Sequence, residues 1–210
     1  MIDVMSKVDL TLLKATSKWE DIRLLCDEAK KYRAFSVCIP PVYVKRSNEY
    51  LNHNFKVCTV IGFPLGYQTT DTKVFETKGA LKDGASEIDM VVNLTDIKNG
   101  EYDKIEDEIK RIKDVVGEKI LKVIIETCYL DKSEKIKMCE IIKSSGADFV
   151  KTSTGYGTSG ATLDDIKLLS EHSEGCIKIK ASGGIRTRAF AEELIKAGAS
   201  RIGSSSVLND

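Results

Sequence analysis

The sequence lacks the features that mark nucleic-acid-binding, membrane-spanning or secreted proteins. Its 32 basic residues are matched by 32 acidic ones, so the basic excess of a general nucleic-acid binder is missing. No apolar run approaches the roughly 20 residues of a membrane span, and the first residues lack the long apolar core of a secretion signal. We therefore expect neither nucleic acid nor a membrane among its partners.

Paired cysteine motifs are also absent, and histidine is scarce. No two cysteines form a C-x-x-C pair, and most lie within apolar patterns. This is typical of buried free thiols in a reducing compartment, so we expect a cytoplasmic protein. The six cysteines are Cys26, Cys38, Cys58, Cys128, Cys139 and Cys176. Neither histidine, His53 nor His172, lies in a motif, which disfavours a histidine-based mechanism.

What the sequence does contain is a regular alternation of strand and helix patterns. Eight predicted strands are separated by helical patterns, without a linker or a shift in composition. The predicted strands are residues 8–13, 35–39, 57–61, 86–93, 120–126, 149–151, 177–180 and 200–203. This order predicts an α/β protein with one domain over residues 1–210, a single (β/α)8 TIM barrel. A doubly wound open sheet is the main structural alternative.

Capping motifs and glycines mark the ends of the helices. In three places a capping residue is followed three positions later by an acid: Ser17 with Glu20, Asp131 with Glu134, and Thr162 with Asp165. Three Gly-Ala pairs close a helix before the next strand, at Gly84, Gly146 and Gly198. After the eighth strand, residues 204–208 are predicted to begin a final helical turn.

The stretch 148–155, Asp-Phe-Val-Lys-Thr-Ser-Thr-Gly, places Lys151 at the end of the sixth predicted strand. A lysine is costly to bury as a cation, and a buried neutral amine is a nucleophile toward carbonyl groups. The hydroxyl and backbone N–H groups that follow can hold an oxyanion or a phosphate, which makes Thr154 a candidate binding residue. A surface lysine at a strand end is the alternative when this stretch is considered alone.

Two other strands carry charged residues that favour a nucleophilic Lys151 over a surface lysine. Residues 177–186 repeat the pattern of a strand-end lysine followed by small residues. A β-branched strand ends at Lys180, and Ala-Ser-Gly-Gly follows. Two lysines in one site repel each other as cations, so one should be held neutral. Asp89 lies inside an apolar strand, where a carboxylate needs a partner. In a barrel, Asp89, Lys151 and Lys180 lie at or near the C-terminal strand ends, where active sites of this fold are found.

Strand alternation suggests a second, deeper layer of charges. It places Glu87 on the same face as Asp89, and Lys178 on the same face as Lys180. We hypothesise that Glu87 and Lys178 form an ion pair inside the barrel, below the catalytic residues.

Small residues follow the seventh and eighth predicted strands. Barrels often bind phosphate with these two loops and a short helix N-terminus. Ordinary tight turns are the alternative for either loop alone. The candidate phosphate-binding residues are Gly183, Gly184, Gly203, Ser205 and Ser206.

Seven motifs, in order along nearly the whole chain, match one enzyme family. They are DLTLLK at 9–14, SVC at 36–38, VIGFPLG at 60–66, EIDMV at 87–91, KVIIET at 122–127, FVKTSTG at 149–155 and KASGGIRT at 180–187. With them the sequence resembles the deoxyribose-phosphate aldolases, which are class I aldolases. The resemblance implies a (β/α)8 barrel without metal or other cofactor. It also implies reversible cleavage of 2-deoxy-D-ribose 5-phosphate to D-glyceraldehyde 3-phosphate and acetaldehyde, in deoxyribonucleoside catabolism.

The resemblance also implies roles for individual residues. Lys151 matches the Schiff-base lysine, Lys180 the lysine that keeps it neutral, and Asp89 the acid that relays protons. The phosphate-binding positions match Gly183, Gly184, Ser205 and Ser206, and the family often forms homodimers. The chain departs from many members at three places: Leu10 where they carry histidine, Tyr156 where some carry lysine, and Asp210, where it stops without the C-terminal tail of some members.

Two alternatives to this function stay open at the level of sequence. One is another lysine-dependent aldolase of the same fold that acts on a different phosphosugar. The other is a non-catalytic phosphosugar-binding barrel, which has no need for two strand-end lysines and a buried acid. A binder of this kind saturates with ligand but forms no reducible imine.

Overall fold

The computed structural model describes residues 2–208, which form a closed barrel of eight parallel strands. Each strand pairs with the next along the chain, and the eighth pairs with the first. The strands are β1 (Val8–Thr11), β2 (Ser36–Ile39), β3 (Val57–Ile61), β4 (Glu87–Val91), β5 (Ile120–Ile124), β6 (Phe149–Lys151), β7 (Lys178–Ser182) and β8 (Arg201–Ser204). The predicted (β/α)8 barrel is confirmed, and the open sheet is excluded because β1 and β8 are hydrogen-bonded.

Helices cover the outside of the barrel. Within residues 2–208 they are α1 (Trp19–Lys31), α2 (Val44–Tyr50), α3 (Thr70–Lys82), α4 (Leu94–Lys98), α5 (Tyr102–Val116), α6 (Lys132–Ser144), α7 (Leu163–Ser173) and α8 (Arg188–Lys196). In α5 the residues at helical spacing, Ile105, Ile109, Ile112 and Val116, are buried as their pattern predicts. Burial of each such side chain contributes roughly 1.5–3 kcal/mol to folding. None of the helices in this range is long and apolar enough to cross a membrane.

Two of the three predicted helix caps are confirmed. The side chain of Asp131 accepts a hydrogen bond from the backbone N–H of Glu134, and Thr162 does the same for Asp165. The third prediction, Ser17 with Glu20, is wrong. Helix α1 begins two residues later than Ser17, because the Asp21 carboxylate accepts the backbone N–H of Lys18 at 2.8 Å. The three helix-closing glycines, at 84, 146 and 198, have the positive φ values expected of them, 101°, 73° and 125°.

The segment after β8 differs from its prediction. Residues 204–208 contain no helical turn. Instead, the Ser204 hydroxyl donates to the carbonyl oxygen of Ser206 at 2.9 Å and accepts the N–H of Ser206 at 3.2 Å. These local side-chain bonds compete with helix formation. The comparison of the chain end at Asp210 with longer relatives lies outside the described residues.

Candidate active site

The three predicted catalytic side chains meet inside the barrel. Lys151 Nζ donates to Asp89 Oδ2 at 2.8 Å, and Lys180 Nζ donates to the same oxygen at 2.7 Å. Lys151 and Lys180 are register partners on the neighbouring strands β6 and β7, which puts the two amines side by side. All three residues are buried. One carboxylate oxygen is thus shared by both lysines.

The three residues lie at or near strand ends as predicted, but Lys180 does not end its strand, so that part of the prediction is wrong. Lys151 is the last residue of β6, but Asp89 and Lys180 are the central residues of β4 and β7. Both of these strands stay paired beyond the charged residue. Lys151 alone among the three lines the cavity above the barrel, and the other two lie deeper. The arrangement presents one amine to a ligand and buries its two partners below it.

Further charged side chains continue the contact network from Asp89. Lys122 on β5 donates to Asp89 Oδ1 at 2.9 Å and lies 2.5 Å from Glu87 Oε2. Lys180 Nζ also lies 2.5 Å from Asp9 Oδ2 on β1. All of these side chains are fully buried or nearly so. Asp89 therefore has three lysine partners, and the network extends from it toward both Glu87 and Asp9.

Arg201 on β8 closes the lower part of this network. Its Nη1 atom lies 2.8 Å from Asp9 Oδ1 and 3.1 Å from Glu87 Oε2. The predicted deeper layer therefore exists around Glu87, but its predicted partner is wrong. Lys178 is the first residue of β7, where its side chain is exposed and its amine lies 5.8 Å from the ring centroid of Phe149. Lys178 lies at the end of the barrel where the strands begin, and a long side chain there keeps its charged end in water.

The ionisation of the network follows from its contacts. Burial opposes a charge on Asp89, but Lys122, Lys151 and Lys180 outweigh it and hold the pKa of Asp89 well below its ordinary value. For Asp9 the lysines and Arg201 have the same effect. Burial likewise opposes a charge on Lys180, yet Asp89 and Asp9 raise the pKa of Lys180 above its ordinary value. Asp9, Asp89 and Lys180 are therefore all charged near neutral pH.

These shifts predict how stability depends on pH. Because the pKa values of Asp9 and Asp89 are lower in the folded chain, the unfolded chain binds more protons in acid. We expect the free energy of unfolding to fall as the pH drops below about 3.9, the value for an unperturbed aspartate. Urea titrations between neutral and acidic pH measure this fall. In the Asp9→Asn variant the fall should be shallower, and an unchanged slope would contradict the assignment of Asp9.

A cavity of about 360 Å³ opens above Lys151. Five of the six predicted binding residues line it, namely Thr154, Gly183, Gly184, Gly203 and Ser205. Ser206 is not among the lining residues, and its N–H is donated to the Ser204 hydroxyl. Lys14 and Arg186, for which the sequence predicts no role, also line the cavity. Their side chains add positive charge to a cavity wall that is rich in hydroxyl and glycine residues.

Two loops meet closely at Gly183. Gly183 has a φ of 84°, a conformation that L side chains rarely adopt. A Cβ atom on Gly160 would lie 2.1 Å from the carbonyl oxygen of Gly183, so neither loop tolerates a side chain at this contact. The glycines therefore let the loops after β6 and β7 form one continuous wall.

Glu126, for which the sequence predicts no role, is hydrogen-bonded to the loop that follows Lys151. Its carboxylate accepts the N–H of Thr154 at 3.2 Å and also the Thr154 hydroxyl. Glu126 is buried and has a φ of 49°, an unusual conformation for a residue with a side chain. Burial raises the pKa of Glu126. The contact fixes Thr154 at the cavity wall.

Tyr156 connects the same loop to the loop after β1. Its hydroxyl donates to the carbonyl oxygen of Leu13 at 2.8 Å. Its ring packs edge-on against Phe63 with 5.5 Å between the centroids. Tyr156 and Leu13 both line the cavity. The position where some relatives carry lysine is therefore used here to join two loops.

The comparisons with known proteins agree with this geometry. A family model described as DeoC/LacD family aldolase matches residues 4–210. The chain is 62% identical to the deoxyribose-phosphate aldolase of Clostridioides difficile (strain 630), over 99% of this chain and 94% of that protein. A solved structure described as QR15, an aldolase, superposes with a TM-score of 0.95 at 42% identity, covering 98% of this chain and 93% of the other.

A third relative is more distant in sequence but has the same architecture. It is described as a unique tetrameric structure of deoxyribose phosphate aldolase from Aeropyrum pernix. It superposes with a TM-score of 0.88 at 33% identity, covering 97% of this chain and 87% of the other. Because the family model matches residues 4–210 of this chain, the chain belongs to the DeoC/LacD family of aldolases.

Proposed function

We propose that this chain is a class I aldolase that reversibly cleaves 2-deoxy-D-ribose 5-phosphate to D-glyceraldehyde 3-phosphate and acetaldehyde. The observation that carries the proposal is the shared contact of Asp89 Oδ2 with the amines of Lys151 and Lys180, at 2.8 and 2.7 Å. Lys151 faces the cavity while Lys180 is buried beneath it. The Clostridioides difficile relative bears the name of this activity.

The first step is attack by Lys151 on the aldehyde carbon, C1, of the open-chain sugar. The amine forms an imine with C1 and water leaves, so Lys151 must react in its neutral form. Apart from Lys151, the network contains three carboxylates, of Asp9, Glu87 and Asp89, and three cationic groups, of Lys122, Lys180 and Arg201. Lys180 contacts both Asp9 and Asp89 and is held as a cation. A neutral Lys151 leaves three charges of each sign.

The second step breaks the bond between C2 and C3 of the bound sugar. The iminium group withdraws the electron pair of that bond. The C3 hydroxyl loses its proton, C3 becomes an aldehyde carbon, and glyceraldehyde 3-phosphate leaves. The remaining enamine takes a proton at C2, and water then releases acetaldehyde and the free lysine. We assign the relay of these protons to Asp89 with a water molecule, and the stabilisation of its charge to Lys180 and Lys122.

We place the phosphate group at the wall that contains Gly183, Gly184, Gly203 and Ser205, with Ser206 next to it in the chain. Thr154 faces the same cavity and is assigned to the sugar portion. The cavity-lining Arg186 supports this orientation, because it supplies a cation beside the two glycines. The predicted role of Ser206 depends on its hydroxyl reaching the ligand, because its N–H is donated to the Ser204 hydroxyl.

Arg186 gives a direct test of this orientation. We expect Arg186→Ala to raise KM for deoxyribose 5-phosphate about tenfold or more, since a hydrogen bond to a charged group contributes about 1.5–3 kcal/mol. The KM for 2-deoxyribose, which has no phosphate, should change little. Arg23→Ala, which removes an exposed arginine from α1, is the matched control. Equal losses with both sugars would place the phosphate elsewhere.

The experiment that tests the function itself is borohydride trapping with deoxyribose 5-phosphate, followed by peptide mass mapping. An adduct on Lys151 supports the imine and the identity of the nucleophile together. An adduct on Lys180 would reverse the two lysine roles. If folded protein binds the sugar phosphate but gives no adduct, the non-catalytic barrel is the better description. A panel of other phosphosugars tests the remaining alternative, a different lysine-dependent aldolase.

Four broader predictions accompany this function. We propose that residues 1–210 form one domain, for which calorimetry should give a single two-state unfolding transition. The resemblance implies a homodimer, whereas the Aeropyrum pernix relative is described as a tetramer, and light scattering distinguishes these states. The cytoplasmic location and the role in deoxyribonucleoside catabolism stay predictions.

A further inference from the structure

Two buried cysteines lie directly beside the catalytic carboxylate. Cys38 on β2 and Cys58 on β3 are register partners, and neither is exposed. Cys58 Sγ lies 3.2 Å from Asp89 Oδ1. The two sulfurs and a carboxylate oxygen of Asp89 all lie within 4.8 Å of one another. Over residues 2–208 no other set of three histidine, cysteine or acidic residues comes this close to forming a cation site.

We propose that Cys38, Cys58 and Asp89 form an inhibitory site for a thiophilic divalent cation such as Zn²⁺ or Cd²⁺. Two thiolates and one carboxylate are ligands that Zn²⁺ takes in proteins, with its fourth position open to water. Zinc–sulfur bonds of about 2.3 Å in a tetrahedral site put two sulfurs about 3.8 Å apart. The proposed aldolase reaction needs no metal, so the occupied site acts only as an inhibitor.

The strand geometry favours a bridging metal over a disulfide. Neighbouring strands are about 4.7–4.9 Å apart, and the side chains of register partners in parallel strands point the same way. The Cβ atoms of such partners are therefore separated by about the same distance. A disulfide prefers Cβ atoms about 3.5–4.5 Å apart, so the strands would have to approach each other. A metal ion between the sulfurs needs no such movement.

The surrounding cations do not exclude the metal. Lys122 Nζ lies 3.5 Å from Cys58 Sγ, and Lys151 and Lys180 both contact Asp89. One divalent ion replaces two thiol protons, which are released to solvent as two metal–sulfur bonds form. The net charge inside the barrel is then unchanged, and the lysines meet no added positive charge. Leu13 packs against the cluster of Cys38, Cys58 and Val60 and also lines the cavity, so we place the entry route of the metal beside it.

Occupation of the site has a consequence for catalysis. A metal on Asp89 Oδ1 competes with Lys122 for that oxygen and weakens the hold of the carboxylate on Lys151 and Lys180. The loss of a positioned acid–base group lowers turnover by roughly 10²–10⁴-fold. This inhibition rests on the role proposed for Asp89, whereas binding of the metal to the thiolates does not.

The test uses Cd²⁺ as the probe, with thiolate-to-cadmium absorption in the ultraviolet as one readout and aldolase activity as the other. We expect the absorption to saturate at one equivalent in the Cys176→Ser protein, which lacks the exposed cysteine, and activity to fall with the same midpoint. A chelator should reverse both changes. Adding Cys38→Ser or Cys58→Ser should remove the absorption, with circular dichroism confirming that each variant is folded.

Other results would overturn the proposal. Absorption that survives in either serine variant would place the metal elsewhere. Loss of two titratable thiols, reversed by a reductant but not by a chelator, would show a disulfide instead. Saturating absorption without any loss of activity would overturn the inhibitory role while leaving the thiolates as ligands. That last result would also count against Asp89 as the proton relay, and borohydride trapping would still report on Lys151 independently.

Discussion

We expect the Lys151→Met variant to form no adduct with deoxyribose 5-phosphate and borohydride, and to lose turnover by roughly 10⁴–10⁶-fold, as enzymes do when a covalent nucleophile is removed. Methionine keeps an unbranched side chain in the barrel but has no amine to attack the aldehyde. It also removes one amine contact from Asp89, which keeps its contacts with Lys180 and Lys122. Stability should therefore change far less than activity.

Lys178→Met is the matched control for this variant. Lys178 lies on the neighbouring strand, but its side chain is exposed at the opposite end of the barrel. We expect it to retain wild-type trapping and turnover. Peptide mapping of the trapped wild-type protein should find the added mass on Lys151 alone. An adduct that persists in Lys151→Met, on Lys180 or elsewhere, would mean that another amine carries the reaction.

The barrel could be predicted from local patterns because each unit repeats the same physical solution. Buried parallel strands are nearly continuous apolar runs, so a charged residue inside one stands out. This is how Asp89 was found. Its depth could not be found in the same way, since the point where a strand stops pairing depends on its neighbours. Lys178 was predicted to be buried but is exposed. Alternation gives the face of the strand on which a side chain lies, but not whether that side chain reaches solvent at the end of the barrel opposite the cavity.

Three members of the charge network received no predicted role, although two of them carry the same signal as Asp89. Asp9 lies between Val8 and Leu10, and Lys122 lies between Leu121 and Val123. Arg201 precedes Ile202 at the start of β8. A rule that every charge inside an apolar strand needs a partner would have found Asp9 and Lys122, but not Arg201, which lies between Ser200 and Ile202. The partners themselves, however, join β1, β4, β5, β7 and β8, and only closure of the barrel brings these strands together.

The loop contacts were beyond prediction for a different reason. The carboxylate of Glu126 reaches Thr154, and the hydroxyl of Tyr156 reaches the backbone of Leu13. These contacts join loops far apart in sequence, and they depend on backbone conformations such as the positive φ of Glu126. Propensity and periodicity describe neighbours along the chain and carry no information about such pairs.

The second large effect is expected for Asp89→Asn. Asparagine has the same shape but no charge, so it cannot accept the substrate proton, and turnover should fall by roughly 10²–10⁴-fold. The variant should also be less stable, because removing one partner of a buried ion pair costs about 3–5 kcal/mol. Urea unfolding and steady-state kinetics measure the two losses. Taken alone, this variant does not separate a chemical role from a structural one.

The double variant Asp89→Asn/Lys122→Met separates the two roles. Lys122 contacts Asp89 and Glu87 at the level below Lys151, and the attraction of its carboxylate partners, which outweighs burial, raises its pKa well above the ordinary value. Methionine removes one of the cations that lose their contact with Asp89 in Asp89→Asn, although Glu87 then keeps only its contact with Arg201, so stability should recover in part. Turnover should stay low, because the proton relay is still missing. If turnover recovers together with stability, Asp89 acts by balancing the charge of the lysines, and the proton must travel through another group.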